Sequence, residues 1–366
     1  MLTRPKISDN VEVGVDQSGN LHFVLVNARR RVTVKADPLT VELLCRMDGT
    51  RTMADLAEST GGRASAANVA ELVGKMAAHR LLIDAANTTT TGETPRHDRQ
   101  LAFFADFTDE PQVLQQHLAT ATVSLLGLGT VGGAIAAHLA RAGVRAIRAF
   151  DPDTVSETNL ARHALFKHRD IGVPKVIAAR EQLLAINRRL DFYSEAVEVA
   201  SEGEVERLVR GSDLVINCAD QPSVAETSQC VGRACMKLRL PHILCGGYRT
   251  HLGFLGPTII PGQSACWRCF AIDYEQNDPF AQAGWRPLPI SCPTGGSLGP
   301  LGAIVAGFHA WEAIRLLTGV LPARMLNCKG EIDFADFSIT FHGVAKREDC
   351  PECASFFDRS ADIPLA

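Results

Sequence analysis

The sequence predicts a two-domain α/β chain, with a small winged-helix-like α+β unit followed by a larger domain built on a central, largely parallel sheet. Three observations carry this. Val123–Leu126 is an apolar run of strand length, followed at once by Gly127, Gly129 and Gly132 and then by a small-residue helix. Leu21, Phe23 and Leu25 alternate, as do Val32 and Val34, and three helical segments come after them. Two Cys-x-x-Cys pairs, far apart in sequence, lie in the second half.

The strand, glycine turn and helix over 123–142 make the arrangement that offers backbone N–H groups and a positive helix end to phosphates. A second strand, Ala146–Phe150, ends in Asp151, where a carboxylate can accept hydrogen bonds from a ribose hydroxyl. So far the pattern is that of a Rossmann-like nucleotide fold, and a nicotinamide enzyme would satisfy it. The chain continues as "NLARH", with Asn159 and Arg162, and as "DIGVPK", with Lys175. A cation pair just beyond the ribose carboxylate suits a site that holds a triphosphate and offsets charge developing on it. With these residues the sequence resembles the ubiquitin-activating-like adenylyltransferases, the superfamily that activates carboxylates with ATP, over residues 96–353. The resemblance implies that Gly127, Gly129, Gly132, Asp151, Asn159, Arg162 and Lys175 bind ATP.

The 366 residues carry a net charge of −4, which argues against a nucleic-acid partner. No segment approaches ~18 uninterrupted apolar residues, so no membrane span is expected, and "MLTRPKISDN" lacks the apolar core of a signal peptide. Eleven cysteines without an export signal point to a reducing, cytoplasmic setting, in which thiols are buried, catalytic or metal-bound.

Residues 1–86 are read as the first domain. A hairpin is followed by a helix from Pro38 to near Gly49, a second helix with Thr52 as N-cap, and a third carrying Val69, Leu72, Val73 and Met76 at i, i+3, i+4, i+7. Leu81–Ile83 would close the unit as a short strand. Only Arg29, Arg30 and Arg31 are clustered basic residues, too few for a DNA reader. The order of elements resembles the peptide-recognition domain of ribosomal-peptide-modifying enzymes, similar to the small chaperone of pyrroloquinoline quinone maturation. That resemblance implies that a precursor's leader adds as a strand beside the hairpin; a structural or dimerising cap is the alternative. Residues 87–95, "NTTTTGETP", are a polar linker.

Residues 96–366 are read as the catalytic domain. By resemblance Arg99 reaches the ATP of a neighbouring subunit in a homodimer; otherwise it is an ordinary surface arginine. "DLVINCADQP" is a buried strand that brings Asp220 to its C-terminal end, where a carboxylate can hold the Mg²⁺ of Mg·ATP. The sulfur-carrier-activating branch has a "CTDN"-like sequence here. That departure, with "GGYRTHLGFLGPTIIPG", resembles the microcin C-type peptide adenylyltransferases. Cys218, Cys230, Cys235 and Cys245 fall in core segments and read as small buried hydrophobes. Cys266, Cys269, Cys350 and Cys353 supply two thiolate knuckles for one structural Zn²⁺ rather than two redox dithiols. Cys292 stands where some relatives carry a cysteine that bonds covalently to the activated partner. A long apolar helix with Ile304, Phe308, Trp311 and Ile314 follows it and is expected near a subunit interface.

The expected function is ATP-dependent adenylation of a carboxylate on a ribosomal precursor peptide held by its leader, with Arg162, Lys175, Asp220 and Arg99 as the catalytic set. The acyl-adenylate would be captured by nitrogen or lost in dehydration or cyclisation, as in microcin C-type or pantocin-type maturation. The rival is activation of the C-terminal glycine of a ubiquitin-like sulfur carrier, which has no need of the first domain.

Overall fold

A computed structural model describes residues 2–25, 29–35, 37–88, 95–277, 282–284 and 296–358, and its packing divides the chain after Leu114 into two units. In the first unit β1 (Pro5–Ile7) leads to β2 (Val11–Val15), β3 (Asn20–Leu25) and β4 (Arg30–Lys35), an antiparallel meander in the order β2-β3-β4. Alternation explains it: Leu21 and Phe23 on the middle strand are buried, whereas β2 and β4 are largely exposed.

Three helices cover the buried face. They are α1 (Pro38–Arg46), α2 (Met53–Ser59) and α3 (Ala66–Ala78). Asp37 caps the first, and capping boxes at Thr52–Asp55 and Ser65–Asn68 start the other two. Leu43, Leu44, Leu56, Val69, Val73 and Met76 join the strand residues in one core. β5 (Leu82–Asp84) returns antiparallel to β1, a pairing the hairpin reading lacked.

The short α4 (Ala85–Thr88) and α5 (Asp98–Phe104) follow. The sequence starts the catalytic domain at residue 96; by packing alone, the segment up to Leu114 groups with the first unit. The cause is polar. Asn10 donates from Nδ2 to Ala102 O at 3.2 Å and to Asp106 Oδ1 at 2.5 Å, and Arg80 donates to Asp106 O at 2.7 Å.

The helix α6 (Pro111–Thr120) spans the division, and the second unit runs on through β6 (Thr122–Leu126), α7 (Thr130–Ala142) and β7 (Ala146–Phe150). The one-turn α8 (Glu157–Leu160), α9 (Lys175–Ile186), β8 (Asp191–Glu195), α10 (Glu202–Val209), β9 (Leu214–Asn217) and α11 (Val224–Leu238) come next. β10 (His242–Leu244) and β13 (Thr258–Ile259) complete a six-stranded sheet of order β13-β10-β9-β6-β7-β8, parallel except for β13. Every residue of β6 and β9 is buried, as a parallel sheet covered on both faces requires. Because β6 is flanked by β7 on one side and β9 on the other, the connections part at its C-terminal end and leave a crevice there.

A second, antiparallel sheet in the order β11-β12-β14-β15 was not anticipated. It is made of β11 (Tyr248–Arg249), β12 (Leu252–Leu255), β14 (Cys328–Asp333) and β15 (Ser338–Gly343). Its first two strands are too short to show periodicity. The helices α12 (Trp267–Asn277), α13 (Gly299–Thr318) and α14 (Pro351–Asp358) complete the unit, and α13 packs along α7. No helix among the described residues is long and apolar enough to cross a membrane.

One buried carboxylate organises the join between the two sheets. Glu312 on α13 is almost wholly buried, and it accepts from Thr258 Oγ1 at 3.0 Å, Met325 N at 2.7 Å and Arg324 N at 2.9 Å. Glu312→Ala would orphan these three donors, each worth about 1–3 kcal/mol when left unsatisfied. The variant is expected to lose at least ~3 kcal/mol in denaturant unfolding of the second unit.

Candidate nucleotide and metal sites

The three glycines after β6 have different reasons to be glycine. Gly127 lies at φ +89° and donates its N–H to Phe150 O at 2.7 Å; a Cβ there would stand 2.7 Å from the Cys218 carbonyl carbon and oxygen. A Cβ on Gly132 would meet Gly127 O at 2.1 Å. These two are required by close backbone packing. Gly129 is the N-cap of α7, and a Cβ there would meet nothing within 4 Å. It faces open space at a helix N-terminus, where a phosphate is favoured.

Asp151, at the end of β7, is 4% exposed and ties this turn to its surroundings. Its Oδ2 accepts from Leu128 N at 2.6 Å, inside the glycine turn, and its Oδ1 accepts from Asp153 N at 2.9 Å. Lys175 Nζ lies 3.6 Å from Asp151 Oδ1 and donates to Asp153 Oδ2 at 2.6 Å. Burial raises the Asp151 pKa above the usual carboxylate value, against the pull of Lys175 and of the two N–H groups. Lys175 opens α9, and its backbone N–H is held by Asp153 O at 2.9 Å.

Asn159 is buried, and its side chain accepts from Ser156 N at 2.9 Å, closing the capping box of α8. Its carbonyl then accepts from Arg162 N at 3.0 Å. In this structure Asn159 therefore shapes the turn that presents Arg162. His163, which the sequence reading passed over, is buried beside it and stacks on Phe166 with ring centroids 4.9 Å apart. Burial, then Lys175 and Arg162, push its imidazole down to about 4, so at neutral pH it adds no charge. Its position directly after Arg162 in "NLARH" was the available signal.

Asp220 follows β9 and is exposed; the adjoining Cys218 and Ala219 backbone is what Gly127 packs against. Ala219 N is held by Asn217 Oδ1 at 3.2 Å. Cys235 and Cys245 are buried as expected, whereas Cys218 and Cys230 are half-buried. Arg99 is an exposed residue of α5 in the first unit. Cys292 lies outside the described residues.

A separate centre joins the second unit's C-terminal helix to its body. Cys266, Cys269, Cys350 and Cys353 are buried, and their sulfurs lie within 4.8 Å of one another. Sγ separations are 3.8 Å for Cys266–Cys269, 3.5 Å for Cys266–Cys350 and 3.7 Å for Cys269–Cys353. Four thiolates about 2.3 Å from a tetrahedral Zn²⁺ stand about 3.8 Å apart, so the donor set fits that ion and leaves no open position. The hydrogen bond from Cys266 holds the Cys353 thiol at about 5, while the same bond and burial push Cys266 up. Each pair straddles a helix start, at α12 and α14.

The ThiF family model matches residues 97–354. The sulfur carrier protein ThiS adenylyltransferase of Escherichia coli (strain K12) is 29% identical over 245 residues, which are 65% of this chain and 88% of that protein. The Bacillus subtilis (strain 168) protein of the same description is 31% identical over 255 residues, 66% of this chain and 67% of its own. Among solved structures, E. coli MccB with ATP superposes with a TM-score of 0.74 at 19% identity, covering 95% of this chain and 99% of that one. The microcin C7 biosynthetic enzyme MccB in complex with N-formylated MccA gives a TM-score of 0.76 at 18% identity, with the same coverage.

Two outcomes are expected from this geometry. Gly132→Ala should destabilise the second unit by at least about 1–3 kcal/mol, because backbone must move, whereas Gly129→Ala should stay within ~0.5 kcal/mol in the same melt. Elemental analysis of protein purified without added metal should give about one zinc per chain. Cys353→Ser should lose that zinc and lower the melting temperature.

Proposed function

The chain belongs to the ThiF family, and on that premise we propose that it adenylates a carboxylate of a ribosomally made precursor peptide, using ATP. The observation that carries the reading is geometric: Lys175 stands 3.6 Å from Asp151, whose other oxygen holds Leu128 N in the glycine turn ahead of α7, and Arg162 lies against Gly299 at the start of the helix that packs on Thr130. A carboxylate oxygen of the peptide attacks the α-phosphorus. The bond from that phosphorus to the β-bridging oxygen breaks, and pyrophosphate leaves with the electron pair.

Arg162 and Lys175 offset charge on the departing oxygens, joined by Arg99 from a neighbouring copy in a homodimer. The glycine turn cradles phosphate, Asp151 with Asn159 fixes the nucleoside side, and Asp220 accepts the Mg²⁺ that travels with the triphosphate. One exposed carboxylate suits that ion, which takes few protein ligands and fills its shell from phosphate and water. This is catalysis by positioning and electrostatics. The zinc cluster is closed and plays no part in the reaction.

The peptide substrate is supported by the first unit. Its meander leaves β4 as an edge strand beside the helical layer, a platform on which a leader can add as one more strand. The likeness to MccB, one of whose structures holds N-formylated MccA, extends over 95% of the chain. A second reading, activation of a sulfur-carrier protein's C-terminal glycine, is favoured by the names of the sequence relatives, whose matches cover about two thirds of this chain.

The test is the identity of the products. With ATP and the cognate precursor the enzyme should release AMP and pyrophosphate; release of ADP and phosphate would overturn adenylation. Asp220→Ala and Arg162→Ala should each lose on the order of 3–4 kcal/mol of transition-state stabilisation, a loss of at least a hundredfold in rate. A precursor shorn of its leader should react far more slowly. Faster turnover of a carrier ending in Gly-Gly than of any peptide would select the second reading.

A further inference from the structure

Two glycines one helical turn apart, Gly299 and Gly302, open α13. A Cβ on Gly299 would stand 3.3 Å from the Arg162 Cα. A Cβ on Gly302 would stand 2.6 Å from Thr130 Cγ2 and 2.8 Å from Tyr248 Cε1. Thr130 is the first residue of α7, directly after Gly129, and Tyr248 begins β11. Gly302 is therefore wedged between Thr130, at the N-terminus of α7 where phosphates are expected, and the hydroxyl-bearing edge of the Tyr248 ring. Tyr248 Oη lies 2.5 Å from Ser297 Oγ, just ahead of α13.

Nothing in the adenylation machinery described so far touches the second oxygen of the substrate's carboxylate. We propose that Tyr248 and Ser297 form a hydroxyl pair that holds this oxygen while the other attacks the α-phosphorus. Proton counting supports it. Two hydroxyls carry two hydrogens; their mutual hydrogen bond uses one and leaves the other free to donate outward. Ser297 is exposed and Tyr248 half-buried, so the pair is open to an incoming group.

The oxygen it holds becomes the carbonyl of the acyl-adenylate, so the contact persists from carboxylate to product. No proton is transferred to it, and the bond made and the bond broken remain those at phosphorus. The two are positioning residues, and the inference rests on the adenylation reading.

A stable mimic separates the inference from that reading. N-glycyl-sulfamoyladenosine retains the acyl carbonyl, and sulfamoyladenosine lacks it. Calorimetry should show the full-length protein binding ATP and binding the glycyl compound more tightly than the unacylated one. Tyr248→Phe keeps the ring against Gly302 and removes only the hydroxyl. It should weaken the glycyl compound about tenfold, in keeping with one lost hydrogen bond. Its affinity for ATP and for sulfamoyladenosine, and its melting temperature, should stay where they were. Ser297→Ala, at an exposed position, should shift the same preference in the same direction. Equal affinity of wild type and both variants for the glycyl compound, with ATP binding intact, would overturn the hydroxyl pair alone. Wild-type protein that binds no ATP would overturn the adenylation reading itself.

Discussion

A single buried carboxylate holds together the crevice at the C-terminal end of β6. From the loop after β7, whose own Asp153 N it also holds, Asp151 joins two segments distant in sequence: the glycine turn through Leu128 N and the start of α9 through Lys175. Burying a charge costs several kcal/mol unless hydrogen bonds and an opposite charge compensate. Here the compensation comes from the groups whose positions matter, so the protein cannot lose the arrangement without leaving a bare carboxylate in its core. The raised pKa of Asp151 records the strength of that desolvation. Lys175 is held in turn between Asp151 and Asp153, which orients its ammonium group.

Around this anchor, the crevice is shaped by side chains that are missing. Gly132 lets the first turn of α7 lie against Gly127 O, and Gly127 lets the β6 turn lie against the chain after β9. Gly127 and Gly132 thus bring backbone against backbone at distances no Cβ would permit, and Gly299 and Gly302 bring α13 close against Arg162 and against the Thr130 and Tyr248 side chains. Such contacts fix the backbone donors before any ligand arrives, which is the condition under which fixed dipoles act most strongly on developing charge.

Much of this was legible in the sequence because local chemistry and tertiary role coincide. The run 123–142 has strand, turn and helix signals in the order a phosphate-binding turn needs, and Asp151, Arg162 and Lys175 follow at readable positions. The two Cys-x-x-Cys pairs announced a shared centre despite a separation of more than eighty residues, since thiolate pairs have few other uses in such a chain. What stayed hidden depends on contacts between segments with no periodicity of their own. β11 and β13 have two residues each. Glu312 looks like any polar residue in an apolar helix until Thr258, Arg324 and Met325 are placed around it. The first unit's extension to Leu114 rests on Asn10 and Arg80, whose partners are main-chain carbonyls and Asp106, and carbonyls carry no sequence signal.

On the proposed reading, the two units divide recognition from chemistry. The side chains proposed to face the reacting carboxylate are sparse and open: Asp220 and the positioning residue Ser297 are exposed, and Arg162 is only partly covered. A site of that kind gains little affinity from the reacting end of its substrate. A leader bound elsewhere on the same chain compensates by raising the effective concentration of the carboxylate, to the millimolar range for a short flexible connection. The binding energy is then spent away from the reacting atoms, and the crevice can keep its fixed donors for the charge that develops at phosphorus. A free sulfur carrier would have to supply that affinity through its own folded surface, so an enzyme built around a tethered peptide has a use for the first unit that one built around a carrier does not.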